Sequence, residues 1–168
     1  MAERIPPERL QPSLLDRLRD DKRGADREPL DARVLSKKQL RDDVKENLRW
    51  LMNATRLGVS LDLASYPEVE SSVLNYGLPS FAGETASSLN VKDLESAIRE
   101  AIVRFEPRVL PASLEVKADE NESMLDCHNV VSLRISAQVW AQPVPFELLL
   151  RAEVDLETGL VVPVELAR

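Results

Sequence analysis

Cysteine and histidine are nearly absent. Cys127 and His128 are the only ones and sit side by side, so no disulfide can form within the chain. Two adjacent side chains also cannot supply the three or four ligands of a metal site. So little cysteine fits a reducing compartment. The five glycines are scattered singly, which excludes a glycine-rich phosphate loop. No nucleophile elbow is present. No run approaches the ~18 apolar residues of a membrane span. The start, MAERIPPERL, has no apolar stretch of a secretory signal. The expectation is a soluble, cytoplasmic protein. In that setting Asn53-Ala54-Thr55 is not a glycosylation site, although it matches the pattern.

Aromatics make up only 4% of a chain that is 43% hydrophobic, so the core must be built from Leu, Val, Ile and Ala. The net charge of −7 argues against nucleic-acid binding. It is unevenly spread. Residues 1–56 hold 14 cations and 11 acids (+3), and residues 57–168 hold 8 and 18 (−10). At 168 residues the chain fits one domain with an arm.

The pattern along the chain divides it into an arm and linker, 1–35, and a body, 36–168. In the arm, Ser13 is a helix N-cap with Asp16 three residues on. It opens a short helix, about 14–21, with Leu14, Leu15 and Leu18 on one face. So short a helix is marginal alone. Asp20 to Arg33 is charged, contains Gly24 and Pro29, and reads as linker. A segment with so few apolar residues orders mainly on binding and should be separable from the body.

In the body, Ser36-Lys37-Lys38-Gln39 is a capping box. It opens a helix to about Ala54 whose stripe is Leu40, Val44, Leu48 and Leu51. Trp50 lies off that stripe and is expected to widen the buried face, the alternative being that it is presented to a partner. A second helix from Pro67 to near Gly77 should bury Val69 and Val73. Gly77 should supply a positive φ in the Tyr76-Gly77-Leu78-Pro79 turn. Asn90 caps a third helix with Leu94, Ile98, Ala101, Ile102 and Phe105 on its stripe. The period then switches to two. Leu114–Ala118, Val131–Val139, Phe146–Val154 and Leu160–Val164 read as four strands, with an acidic loop, Asp119 to Asn129, after the first. The fold class is α+β: a two-layer domain of about four mostly antiparallel strands covered by helices, with an N-terminal helical arm.

The third helix ends at Phe105-Glu106-Pro107-Arg108. Proline forbids further helix and drives the preceding residue out of helical geometry. An acid and a base therefore flank a rigid corner with an aromatic behind them. A neighbouring cation stabilises an ionised carboxylate, the opposite of what a general acid requires. Glu106 reads as a salt-bridge residue, and no other carboxylate has a catalytic setting.

These segments resemble one family when taken together. They are Ser13-Leu14-Leu15-Asp16-Arg17-Leu18, Leu48-Arg49-Trp50-Leu51-Met52-Asn53, Tyr66-Pro67-Glu68-Val69, Ser72-Val73-Leu74-Asn75-Tyr76-Gly77-Leu78-Pro79 and Phe105-Glu106-Pro107-Arg108. The family is TssE, the small baseplate subunit of the bacterial type VI secretion system, with its wider group of contractile-phage baseplate wedge proteins that carry an old lysozyme-like label. The resemblance covers about residues 10–165. It departs at Met52, where the family often has leucine, and in the charged linker Lys22 to Pro29.

The resemblance implies a structural, non-enzymatic protein without cofactor or metal. It implies a place in the cytoplasm at the inner-membrane-docked baseplate, without membrane insertion or nucleic acid. The implied partners are the wedge subunits TssF, TssG and TssK and the sheath subunits TssB and TssC, with the chain starting sheath assembly. The alternatives are a peptidoglycan hydrolase and a stand-alone regulatory adaptor of the same fold. The expected protein-binding residues are Phe105, Glu106, Pro107 and Arg108 at the corner and Leu14, Leu15 and Leu18 on the arm. The corner is expected to expose its charges over a buried Phe105; the contrary arrangement is an ion pair buried within the domain. Sheath pairing is expected at an edge strand, either Ser113–Ala118 or, preferably, Leu160–Val164, where Pro163 suits an edge; the alternative is that Pro163 only blunts that edge against aggregation.

Overall fold

Ser36 sets the start of the longest helix. Its hydroxyl accepts from the Gln39 amide at 3.2 Å, and its own amide donates to Gln39 Oε1 at 2.9 Å, closing the expected capping box. In the computed structural model, which describes Leu10 and residues 35–83, 90–119, 130–142 and 144–166, this helix is α1, Lys37–Asn53. It buries Leu40, Val44, Leu48, Leu51 and Met52. Trp50 does not widen that face: it points outward and is exposed. Helix α2, Pro67–Ser71, lies between two 3₁₀ turns, Leu57–Val59 and Val73–Asn75. Helix α3, Val91–Phe105, is capped by Asn90, whose side chain accepts from the Lys92 amide, and buries Leu94, Ile98, Ala101 and Ile102.

The strands are β1 Glu115–Ala118, β2 Val130–Val139, β3 Phe146–Asp155 and β4 Val161–Glu165. They form one sheet in the order β1-β2-β3-β4, with every neighbouring pair antiparallel. The last strand starts one residue later than its alternation implies, because the Leu160 carbonyl closes the turn by accepting from the Asp155 amide. Residues that share a parity share a face. Val131, Leu133, Ile135, Ala137 and Val139 of β2 and Leu148, Leu150, Ala152 and Val154 of β3 are buried. Helices α1 and α3 cover that side, α1 packing on β4, α3 on β1, and the two on each other. This is the two-layer α+β domain expected.

Besides Trp50, Leu10 and Val73 sit where the sequence pattern does not put them. Leu10, assigned to the arm, is 2% exposed within the core, and the Leu35 amide donates to its carbonyl at 2.8 Å. Leu14, Leu15 and Leu18 lie outside the described residues. Val73, expected in the core, is 77% exposed. The α-helix that would have buried it stops at Ser71, where Ser72 turns extended and starts the 3₁₀ turn with its hydroxyl on the Leu74 amide. Asn75 is buried in its stead. It accepts from the Gly58 amide at 2.9 Å and donates to the Glu70 carbonyl at 3.0 Å.

The chain then meets the end of α1. Leu78 donates to the Ala54 carbonyl at 2.8 Å and accepts from the Arg56 amide at 2.9 Å, a short parallel bridge. Gly77 makes this possible with φ +119°, and a Cβ there would overlap the Ala54 carbonyl, lying 2.6 Å from its carbon. A non-glycine residue at such a φ costs about 1–3 kcal/mol before any clash. Gly77→Ala is therefore expected to lose about 3 kcal/mol. At ~2–4 °C per kcal/mol for a chain of this size, a thermal melt should fall by roughly 10 °C. An unchanged melt would mean that the backbone there relaxes freely.

Candidate functional site

Helix α3 ends on Glu106, whose backbone amide still bonds to the Ile102 carbonyl at 2.9 Å while its ψ has left helical values. Pro107 follows and turns the chain. Arg108 then folds back on the acid. Its Nε donates to Glu106 Oε1 and its Nη2 to Oε2, both at 2.7 Å, and its backbone amide adds a third bond to Oε1 at 3.3 Å. The fork matches a carboxylate in shape, so two parallel bonds form. Glu106 is 4% exposed. The acid thus acts from beneath the surface instead of standing on it, while Pro107 is exposed and Arg108 and Phe105 are half-buried. A partner can touch Pro107 and the flank of Arg108; Glu106 can only hold them in place.

The corner is also locked from behind. The Tyr76 ring meets Phe105 edge-on, centroids 5.1 Å apart and planes at 64°. Burial pushes the Tyr76 phenol above its ordinary 10.0, and the negative charge of Glu106 pushes it the same way. Beside this pair is a small open depression, whose lining includes Arg56, Asn75, Pro79, Glu100 and Arg104.

Ahead of the corner the chain joins the sheet. Val109 bridges Val139 antiparallel, the Leu110 amide donating to the Gln138 carbonyl and the Trp140 amide to the Arg108 carbonyl at 2.8 and 2.7 Å. Residues 108 and 140 therefore lie opposite one another. Trp140, 52% exposed, stands beside the corner. The strand pattern treats it as one more outward residue of β2. Its proximity to Arg108 depends on a bridge between segments 32 residues apart in sequence, which periodicity cannot show. An indole next to an arginine is the composition of a binding hot spot.

The two edges of the sheet are occupied in the same manner. Val161 on β4 donates to Asn53 Oδ1 at 2.9 Å and accepts from Asn53 Nδ2 at 2.7 Å. The side-chain amide of α1 thus imitates one residue of a neighbouring strand. Since the Val161 backbone N–H and C=O point away from β3, the same parity points the Pro163 nitrogen away from the ladder, where its missing N–H costs nothing, while both side chains stay buried. At the other edge the Ala118 amide of β1 donates to Glu95 Oε1 of α3 at 2.7 Å. Among the described residues no three His, Cys, Asp or Glu could hold a metal; Cys127 and His128 lie outside them. No helix of the described residues is long and apolar enough to cross a membrane.

Two measurements test the corner. Arg108→Ala leaves the Glu106 carboxylate buried without its cation, and breaking a pair in this way costs about 3–5 kcal/mol. A denaturant titration should show that loss, whereas a surface pair would show under ~1 kcal/mol. In a Tyr66→Phe background, absorbance of the remaining phenolate should rise only above pH 10.0. Glu106→Gln should bring that transition down part of the way, burial being the larger cause. The sign for stability follows. A raised folded-state value means that the native state holds its proton longer, so this contribution is complete below pH 10 and is lost as pH rises through the shifted value.

No curated protein and no solved structure matches the chain. The family model of baseplate wedge protein gp25 does match it, over residues 38–144. That range runs from the capped start of α1, through the Gly77 turn, α3, the Glu-Pro-Arg corner and β2, to the connection after Trp140. It covers more than half of the sequence and the whole corner, with Tyr76 and Trp140; Val161 and Pro163 of the β4 edge lie beyond it. The chain belongs to the baseplate wedge protein gp25 family.

Proposed function

We propose that this protein is a TssE-type subunit: a structural, non-enzymatic component of a type VI secretion baseplate. It binds wedge subunits of the TssF, TssG and TssK kind and gives the TssB and TssC sheath its starting point. It works in the cytoplasm, at the baseplate docked to the inner membrane. The observation that carries the reading is the corner. A buried bidentate Glu106–Arg108 pair fixes Pro107, Arg108 and half-exposed Trp140 in one place, and Phe105 anchors them from the helix side. Such a constellation is organised before it meets a partner, which lowers the ordering cost of association. The arm residues Leu14, Leu15 and Leu18 join the wedge contact in this reading. The same geometry disfavours a hydrolase at Glu106, because both carboxylate oxygens are already engaged by one guanidinium.

Sheath initiation is proposed to use backbone pairing at an edge. Asn53 already fills the outward position at Val161, and Pro163 offers no donor. An incoming strand on β4 therefore pairs from the Pro163 carbonyl toward the C-terminus, or else displaces Asn53.

The decisive test is binding of purified protein to a co-purified TssF–TssG complex. Trp140→Ala should keep its melting temperature within about 2 °C, since the side chain is half exposed, and should weaken binding about tenfold or more, the ~1.4 kcal/mol of a modest hot spot. Unchanged affinity with an intact fold would remove Trp140 and the corner from the interface.

A further inference from the structure

The 3₁₀ turn Val73–Asn75 presents the two most exposed large apolar side chains among the described residues, Val73 at 77% and Leu74 at 67%. Single exposed apolar residues need no explanation. This adjacent pair is different because the fold holds it rigidly outward. Ser72 caps the turn with its hydroxyl on the Leu74 amide, and the Tyr76 amide closes it on the Val73 carbonyl. Asn75, the next residue, is 5% exposed and spends its side chain tying the turn to Gly58 and to the Glu70 carbonyl. Arg104 of α3 donates to the same carbonyl at 3.2 Å. A buried polar side chain costs free energy unless bonded; here the bonds fix a turn whose tip is mostly exposed.

The surroundings select the occupant. Residues 57–83, which carry the turn, include Asp62, Glu68 and Glu70 but neither lysine nor arginine. Arg56 and Arg104 line the depression between this segment and α3, and Arg104 is engaged on the Glu70 carbonyl. An apolar tip in an acidic segment is repelled by an anionic lipid surface. It is equally ill-suited to a second copy of a chain that carries −7 overall. It fits an apolar groove bordered by lysine and arginine.

We infer that Val73 and Leu74 form a preorganised knob for such a groove on a partner protein, a second contact separate from the corner. The inference rests on the baseplate reading only in taking the partner to be a wedge subunit; the chemistry of the groove stands apart from it.

Methyl resonances of the full-length protein, titrated with an amphipathic leucine–lysine helical peptide and with its leucine–glutamate counterpart, test that chemistry directly. Val73 and Leu74 methyls should shift with the cationic peptide and not with the anionic one. The double variant Val73→Ser, Leu74→Ser should keep its melting temperature and lose at least tenfold in affinity, and raising salt from 50 to 300 mM should weaken the wild type severalfold. Shifts confined to other residues, equal response to both peptides, or concentration-dependent shifts without peptide, the mark of a second copy, would each overturn the inference. The same variant is then assayed against TssF–TssG beside Trp140→Ala. Loss with the turn variant alone leaves the knob standing and sinks the corner. Loss with Trp140→Ala alone sinks the knob as a wedge contact. Binding of the cationic peptide at the turn with no wild-type affinity for TssF–TssG refutes the wedge reading and keeps the groove.

Discussion

A carboxylate closed on a guanidinium at a helix end is the constraint on which the geometry of the corner and its junction with the sheet depends. Helix α3 must stop before Pro107, and the chain must then reverse sharply enough for Val109 to bridge Val139. A proline alone would stop the helix without choosing the exit direction. The two 2.7 Å bonds from Arg108 to Glu106 choose it. They span two residues, so they hold the backbone in a narrow turn and bring the Arg108 carbonyl to the Trp140 amide. The pair is nearly dry, and the desolvation of two charges offsets much of their attraction. Conformational definition is therefore the better account of its presence than net stability. The corner and the sheet then share one backbone frame.

The sheet is terminated by side chains of the helices that cover it. Open edges invite pairing with foreign strands. Here Asn53 at Val161 and Glu95 at Ala118 each take a backbone group on the outward rim, and Pro163 removes a donor between Val161 and the C-terminal end. These are contacts of α1 and α3, the elements that also build the core. Edge protection and core packing are thus coupled: a shift of either helix would expose a backbone group at one rim.

Much of this fold is legible in the sequence because its signals are local. The capping box at Ser36, the stripe from Leu40 to Leu51, the alternation from Val131 to Val139 and the isolated Gly77 each encode a neighbour within a few residues, and the structure agrees with them. What escaped was non-local or concerned exposure. Apolar residues default to the core, and Trp50 and Val73 depart from that default; at Val73, Ser72 and Asn75 override it by ending α2 early and burying an amide in place of an aliphatic. Leu10 was lost to the arm because 25 residues separate it from Leu35. Asn53 gave no signal of its role, since its partner Val161 lies 108 residues away. At the corner, residue types and spacing revealed the pair but not its depth; a two-residue motif cannot show what packs over it.

The same polar residues that were hardest to read do the positioning. Asn53, Asn75 and Glu106 have partly or wholly buried side-chain groups, and each bonds backbone groups that no helix or strand ladder satisfies. Asn75 holds a turn outward, Glu106 sets a corner, and Asn53 closes an edge. An apolar substitute of similar volume could fill any of these places, but it would leave buried N–H and C=O groups unpaired at about 1–3 kcal/mol each. It would also release the local conformation. A catalyst needs polar groups aimed into a pocket where charge develops. These are aimed at the protein's own backbone, and what they present outward is shape: an exposed proline beside a half-exposed indole, and a turn tipped by two aliphatics. Fixed shape is what these three residues supply, in keeping with a structural family of baseplate wedge proteins.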